Sequence, residues 1–164
     1  MLGLLALLAA CGPSAKEIRS ARDARYTASR GQILDEVIAV VQRVHGVADA
    51  GYGSTSGEPT VLSTGRWYAR EGVARQSKVG DEVGVYDGDI MLELIVRVIA
   101  EGDAFQVTVT PRAERFKSGH SSTDKLEAGD PRMPGWVEGQ VDDLQVQLHD
   151  RLKAFGVVTP APST

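Results

Sequence analysis

The sequence predicts an α+β fold: a curved antiparallel sheet with two helices packed on one face. Three observations carry that prediction. Residues 90–101 and 105–110 alternate apolar and polar side chains across a Gly-Asp turn. Residues 33–44 and 137–152 place apolar side chains at helical spacing. The order helix, strands, helix gives each amphipathic element a partner in two layers.

The chain opens on a ten-residue uncharged run that ends in Ala9-Ala10, followed by Cys11, Gly12 and Pro13. That run is too short for a membrane span, which needs roughly 20 residues, and has the length of a signal-peptide core. Gly12-Pro13-Ser14 ends any regular element there. The other account of the run is a buried N-terminal strand with an inert cysteine. Leu8-Ala9-Ala10-Cys11 resembles the lipobox of bacterial envelope lipoproteins. The resemblance implies that residues 1–10 are a removed signal peptide and that Cys11 is acylated. It also implies that residues 11–23 are a tether. Gly12, in place of an aspartate, implies an outer-membrane anchor facing the periplasm in a Gram-negative cell, and a cell-membrane lipoprotein otherwise. The membrane lipid is then one partner and an envelope protein the other.

Ser14-Ala15-Lys16-Glu17 reads as a capping box opening a short helix, with Arg19, Arg22 and Arg25 near one side. Two accounts fit those cations: attraction to anionic headgroups and a plain solvated helix side. Residues 24–28 read as the start of a strand. Ser29 to Gln32 forms a second capping box. A helix of about 14 residues then carries Ile33, Leu34, Val37, Ile38, Val41 and Val44 and stops at Gly46. Residues 46–60 read as a loop with a short strand near 47–52.

Residues 61–70 read as one strand, with Leu62, Thr64, Arg66, Tyr68 and Arg70 on one side and Val61, Ser63, Gly65, Trp67 and Ala69 on the other. Trp67 is the better candidate for the core. Tyr68 would then share the open face with Arg66, Arg70, Glu93 and Arg97. Arginine and aromatic side chains are enriched at protein interfaces, so Arg66, Tyr68, Arg70 and Arg97 form the candidate partner-binding set. The competing account is ordinary cross-strand pairing. Residues 71–82 read as a charged connection and 83–86 as a short strand. In the 90–101 strand, Ile90, Leu92, Leu94, Val96 and Val98 form the apolar side. The next strand runs to Pro111, and 113–131 reads as a long polar loop. Pro134 opens the last helix, whose stripe is Val137, Val141, Leu144, Leu148 and Leu152, and Gly156 closes it. Residues 24–156 thus form a single domain and 157–164 a disordered tail. The element order, with the Thr64-Gly65-Arg66-Trp67-Tyr68 strand, resembles the helix-grip type of two-layer domain. Small lipoprotein subunits of outer-membrane assembly machines contain such domains.

Composition narrows function. The chain has 164 residues with a net charge of −4, so it is not a generally basic nucleic-acid-coating protein. A single cysteine allows no internal disulfide and no multi-cysteine metal site. His45, His120 and His149 are too scattered for a metal pair. His45 closes a helix, where a partly charged imidazole complements the dipole, and His149 borders an apolar stripe. Asp87-Gly88-Asp89 lacks the remaining spacing of a calcium loop and reads as a polar turn. Asp142 and Asp143 read as a solvated helix side. No phosphate-cradling glycine motif occurs. The expectation is a non-enzymatic, membrane-anchored periplasmic scaffold with no catalytic residue, no cofactor and no metal. The alternatives are a carrier of a small apolar ligand or lipid in a cavity between sheet and helices, and a hydrolase built on the His120 loop.

Overall fold

The computed structural model describes residues 12–46, 49–51, 59–70, 72–75, 88–117 and 123–158. The order of elements is α1 (Ala15–Asp23), β1 (Arg25–Tyr26), α2 (Arg30–His45), β2 (Asp49–Gly51), β3 (Thr60–Ser63), β4 (Trp67–Arg70), β5 (Val73–Arg75), β6 (Ile90–Glu101), β7 (Ala104–Phe116), β8 (Thr123–Leu126), α3 (Gly135–Leu152), a single 3₁₀ turn (Lys153–Phe155) and β9 (Val157–Val158). All described strand pairs are antiparallel, so the molecule is an α+β fold, and its central path runs β2-β3-β6-β7-β1-β9. β4 continues along β6 beyond β3 and carries β5, while β8 pairs with the far end of β7.

Both capping boxes form: the Ser14 and Ser29 hydroxyls accept the Glu17 and Gln32 amides, and those side chains reach back to the cap amides. Gly46 ends α2 at φ 74°, its amide bonding Gln42 O at 2.9 Å. Pro134 is the N-cap of α3.

The core lies between one sheet face and the helices. Ile90, Leu92, Leu94, Val96 and Val98 of β6 meet Ile33, Val37, Val40 and Val41 of α2, and Val137, Leu144, Leu148 and Leu152 of α3. Burial of these side chains is the main stabilising term. Val44, in the last turn of α2, lies outside this core and is exposed.

Several expectations need correction. The 61–70 segment is two strands. Ser63 stands opposite Ile95 and Trp67 opposite Leu92, so β3 and β4 span one residue more than β6 does. This is a β-bulge at Thr64-Gly65-Arg66, and Gly65 takes φ 72°, which a side chain disfavours. The bulge reverses the facing. Thr60 and Leu62 point into the core before it, and Ala69 and half-buried Trp67 after it. Val61 therefore does not share a face with Trp67. Thr64 holds the bulge: its amide donates to Leu94 O at 3.1 Å, and its hydroxyl accepts the Leu94 amide at 3.0 Å.

Pro111 does not end its strand. β7 continues to Phe116, and Pro111 pairs with Leu94. Leu94 aims its own backbone groups at Thr64, so Pro111 meets it in a non-hydrogen-bonded rung. The missing N–H would have pointed to the opposite edge of β7, between β1 and β8, where proline is tolerated. The 113–131 segment correspondingly contains the end of β7 and all of β8.

The tether and the tail also differ. Residues 15–23 form α1, which packs on α3 with Ala21 fully buried and Arg22 bonded to Asp142 at 2.6 Å. Val157 and Val158, read as tail, form β9 on β1. The readings on residues 1–11, including Cys11, and those on 83–86, His120 and 159–164 fall outside the described residues. No helix among the described residues is long and apolar enough to cross a membrane.

Candidate functional site: the open face of the sheet

Strand alternation sends every second side chain of β6 away from the helices. Met91, Glu93, Ile95, Arg97 and Ile99 define this open face. Tyr68 stands opposite Met91, and Arg70 is two residues further on the same side of β4. Arg66, in the bulge, reaches the same face and lies 3.6 Å from Glu93 Oε2. All four residues of the predicted set, Arg66, Tyr68, Arg70 and Arg97, are therefore on one face, but they form two groups.

The first group surrounds Glu93, which is 8% exposed despite its charge. Arg112 Nη1 donates to Glu93 Oε2 at 3.0 Å, and Arg66 approaches the same oxygen from the other side. A buried carboxylate needs such pairing. Both guanidiniums remain largely in solvent, with side-chain exposures of 58% and 61%. Arg97 Nη1 donates to the Thr110 hydroxyl at 2.6 Å. Ile95 lies among them, 5% exposed. Together with Lys125 and Leu126 of β8 they bound a recess of about 460 Å³.

The second group lies at the other end of β4. Arg70 Nε donates to Asp89 Oδ1 at 2.8 Å, and Asp89 is fully buried. Asp89 is thus a structural anchor rather than a polar turn residue. Tyr68 packs at a tilt on Phe116, with ring centroids 5.7 Å apart.

A second concavity, of about 530 Å³, opens where β1 and β8 leave the outer edge of β7 uncovered. Val109, Pro111, Met133 and Val141 supply its apolar wall, and Arg22, Glu138 and Gln145 polar groups. Gln145 stands in for the missing strand. Its Oε1 accepts the Val109 amide at 2.9 Å, and its Nε2 donates to Val107 O at 2.9 Å and Ala21 O at 3.2 Å. This site is not apparent from strand and helix periodicity. Its signal was a glutamine inside the apolar stripe of α3, between Val141 and Leu148.

The histidines are accounted for by packing. His45 stacks on Trp67 at 4.9 Å, and burial pushes its pKa below the ordinary value. His149 Nδ1 shares a hydrogen bond with the buried Tyr26 hydroxyl at 3.0 Å. Burial lowers its pKa, and nearby Asp150 partly offsets this. Burial drives the Tyr26 hydroxyl well above the usual phenol range. No group of three or more metal-ligating side chains converges among the described residues. No protein-family model matches the chain, and no curated protein or solved structure matches it either.

Proposed function

We propose that this chain is a non-enzymatic, membrane-anchored lipoprotein of the bacterial envelope. Its α+β domain binds a protein partner through the open face of the sheet. The observation that carries this reading is the sheet face, free of helices among the described residues, that presents Arg66, Tyr68, Arg70, Arg97 and Arg112. Arginine and tyrosine are the side chains that most often anchor protein interfaces. The Leu8-Ala9-Ala10-Cys11 sequence supports the anchor and Gly12 an outer-membrane location facing the periplasm. Acylation of Cys11 would confine the domain to the membrane surface, where a modest affinity suffices.

Two measurements test the reading. Cys11→Ser should abolish incorporation of labelled palmitate and release the protein from the membrane fraction; unchanged fractionation refutes the anchor. A photo-crosslinker at Tyr68 should capture an envelope protein in cells, and Arg66→Gln should reduce that product while circular dichroism shows the fold retained, with a melting temperature only a few degrees lower because Arg112 still pairs Glu93. Undiminished capture refutes the surface.

The β7-edge cleft favours a second reading, a carrier of a small apolar ligand, because its volume lies in the range of ligand pockets. Under that reading Val141→Trp, which fills the cleft, removes binding of a fluorescent fatty acid. Unaltered binding rejects it.

A further inference from the structure

The first group on the open face is electrostatically unbalanced. Arg66 and Arg112 share one carboxylate, that of Glu93. Arg97 has the hydroxyl of Thr110 as its acceptor. Thr110 stands opposite Ile95, whereas Arg97 stands opposite Thr108. Arg97 therefore leans one same-face rung along the ladder, toward the Arg66–Glu93–Arg112 group. Two guanidiniums thus flank one buried carboxylate and a third stands one rung away, in a chain whose net charge is −4. Lys125 stands opposite Glu114 in the β7–β8 ladder, Glu114 accepts the Thr123 hydroxyl at 2.7 Å, and Glu127 also lines the recess, so that with Glu93 counted the group keeps a small positive excess. Such crowding of like charge costs free energy that a bound carboxylate would recover through charge-assisted hydrogen bonds.

We infer that this recess binds a glutamate or aspartate side chain presented by an acidic, extended segment of the protein partner. Arg97 and Arg112 would grip the carboxylate, and Ile95 would underlie its methylene stem. The inference rests on the reading of the open face as a protein-binding surface. The recess is concave and walled by β8, a shape that suits one protruding side chain better than a planar membrane surface.

The test is a nuclear magnetic resonance titration of the ¹⁵N-labelled full chain in neutral detergent. The probe is a capped peptide of alternating Glu and Thr, and the control is its Gln-for-Glu counterpart. The acidic peptide should shift the amides of Ile95, Arg97, Thr110 and Arg112. Binding should weaken about tenfold in Arg97→Gln and be lost near 0.5 M salt, where screening lengths fall to roughly 4 Å. Arg19→Gln, on exposed α1, should leave it unchanged. Equal shifts with the Gln peptide, shifts spread over Arg19 and Lys153 alike, or no shifts would overturn the inference. So would tighter binding of anionic bicelles at the same four amides, which would assign the recess to lipid headgroups. If the Tyr68 crosslinker captures a partner while the peptide fails, the carboxylate inference falls and the protein-binding surface stands. If neither succeeds, both fall.

Discussion

Replacing Gln145 with leucine tests the claim that one side chain substitutes for a strand at the edge of β7. Gln145 is 2% exposed and makes three hydrogen bonds to backbone groups. Leucine has nearly the same volume, so no cavity forms. It leaves the Val109 amide and the Val107 and Ala21 carbonyls without their partner, and each such group costs about 1–3 kcal/mol when buried. Added apolar burial returns about 1 kcal/mol, and water entering from the adjacent cleft satisfies part of the remainder. The expected net loss is about 2–4 kcal/mol. For a domain of this size that lowers the melting temperature by roughly 10 °C. Thermal and urea denaturation followed by circular dichroism give the magnitude, and hydrogen exchange at the Val109 amide gives the location. Gln147→Leu on the same helix is the control, expected within about 0.5 kcal/mol of the parent. If Gln145→Leu matches that control and leaves Val109 exchange unchanged, the strand-substitute argument is wrong. Gln145→Glu adds a sign test. A carboxyl group facing two carbonyls favours its protonated form, so its folded pKa lies above the unfolded value of about 4.3. That variant is most stable below this pH and loses stability as pH rises toward the folded pKa.

Three further outcomes follow from the same reasoning. Gly65→Ala forces a side chain onto a φ of 72° and should cost about 1–2 kcal/mol in urea denaturation, whereas Gly65→Asn, which tolerates that conformation, should cost less. His45 and His149 both have folded pKa values lowered mainly by burial, so their contribution is present above about pH 6.5 and is lost as pH falls through the folded values; a double His→Gln variant should show a flatter stability profile between pH 7 and pH 5. Ala21→Glu places a carboxylate where α1 meets α3 and should accelerate tryptic cleavage at Arg19 and Arg22 about tenfold, with a melting temperature only a few degrees lower.

The features legible from sequence were those set by local periodicity. The apolar side of β6, the α3 stripe and both capping boxes form where spacing and side-chain chemistry put them. The placement of Arg66, Tyr68, Arg70 and Arg97 on one face also followed from alternation, although the bulge moved Leu62 and Val61 relative to Trp67. What escaped depended on partners distant in sequence. Pro111 is a strand breaker unless its N–H side faces an unpaired edge, and that edge exists only because β1 and β8 dock at opposite ends of β7. Likewise α1 looks solvated until α3 is placed beside it. Arg112 and the recess could not be found from one strand, since Glu93 and Arg112 meet only through the β6–β7 register.

The register of β6 and β7 also sets an order of assembly. Their rungs run without a break from Glu101–Ala104 beside the turn to Ile90–Arg115 at the far end. Each new rung therefore closes only a slightly larger loop than the last, and a hairpin of this kind can zip within microseconds, on the order of 1–10. By contrast, β1 must find β7, β9 must find β1, and α1 must find α3 across most of the chain. The two chain ends thus close last and open first. A pull on the N-terminus would peel α1 and β1 away while the hairpin, with the arginine recess on its outer face, stayed folded.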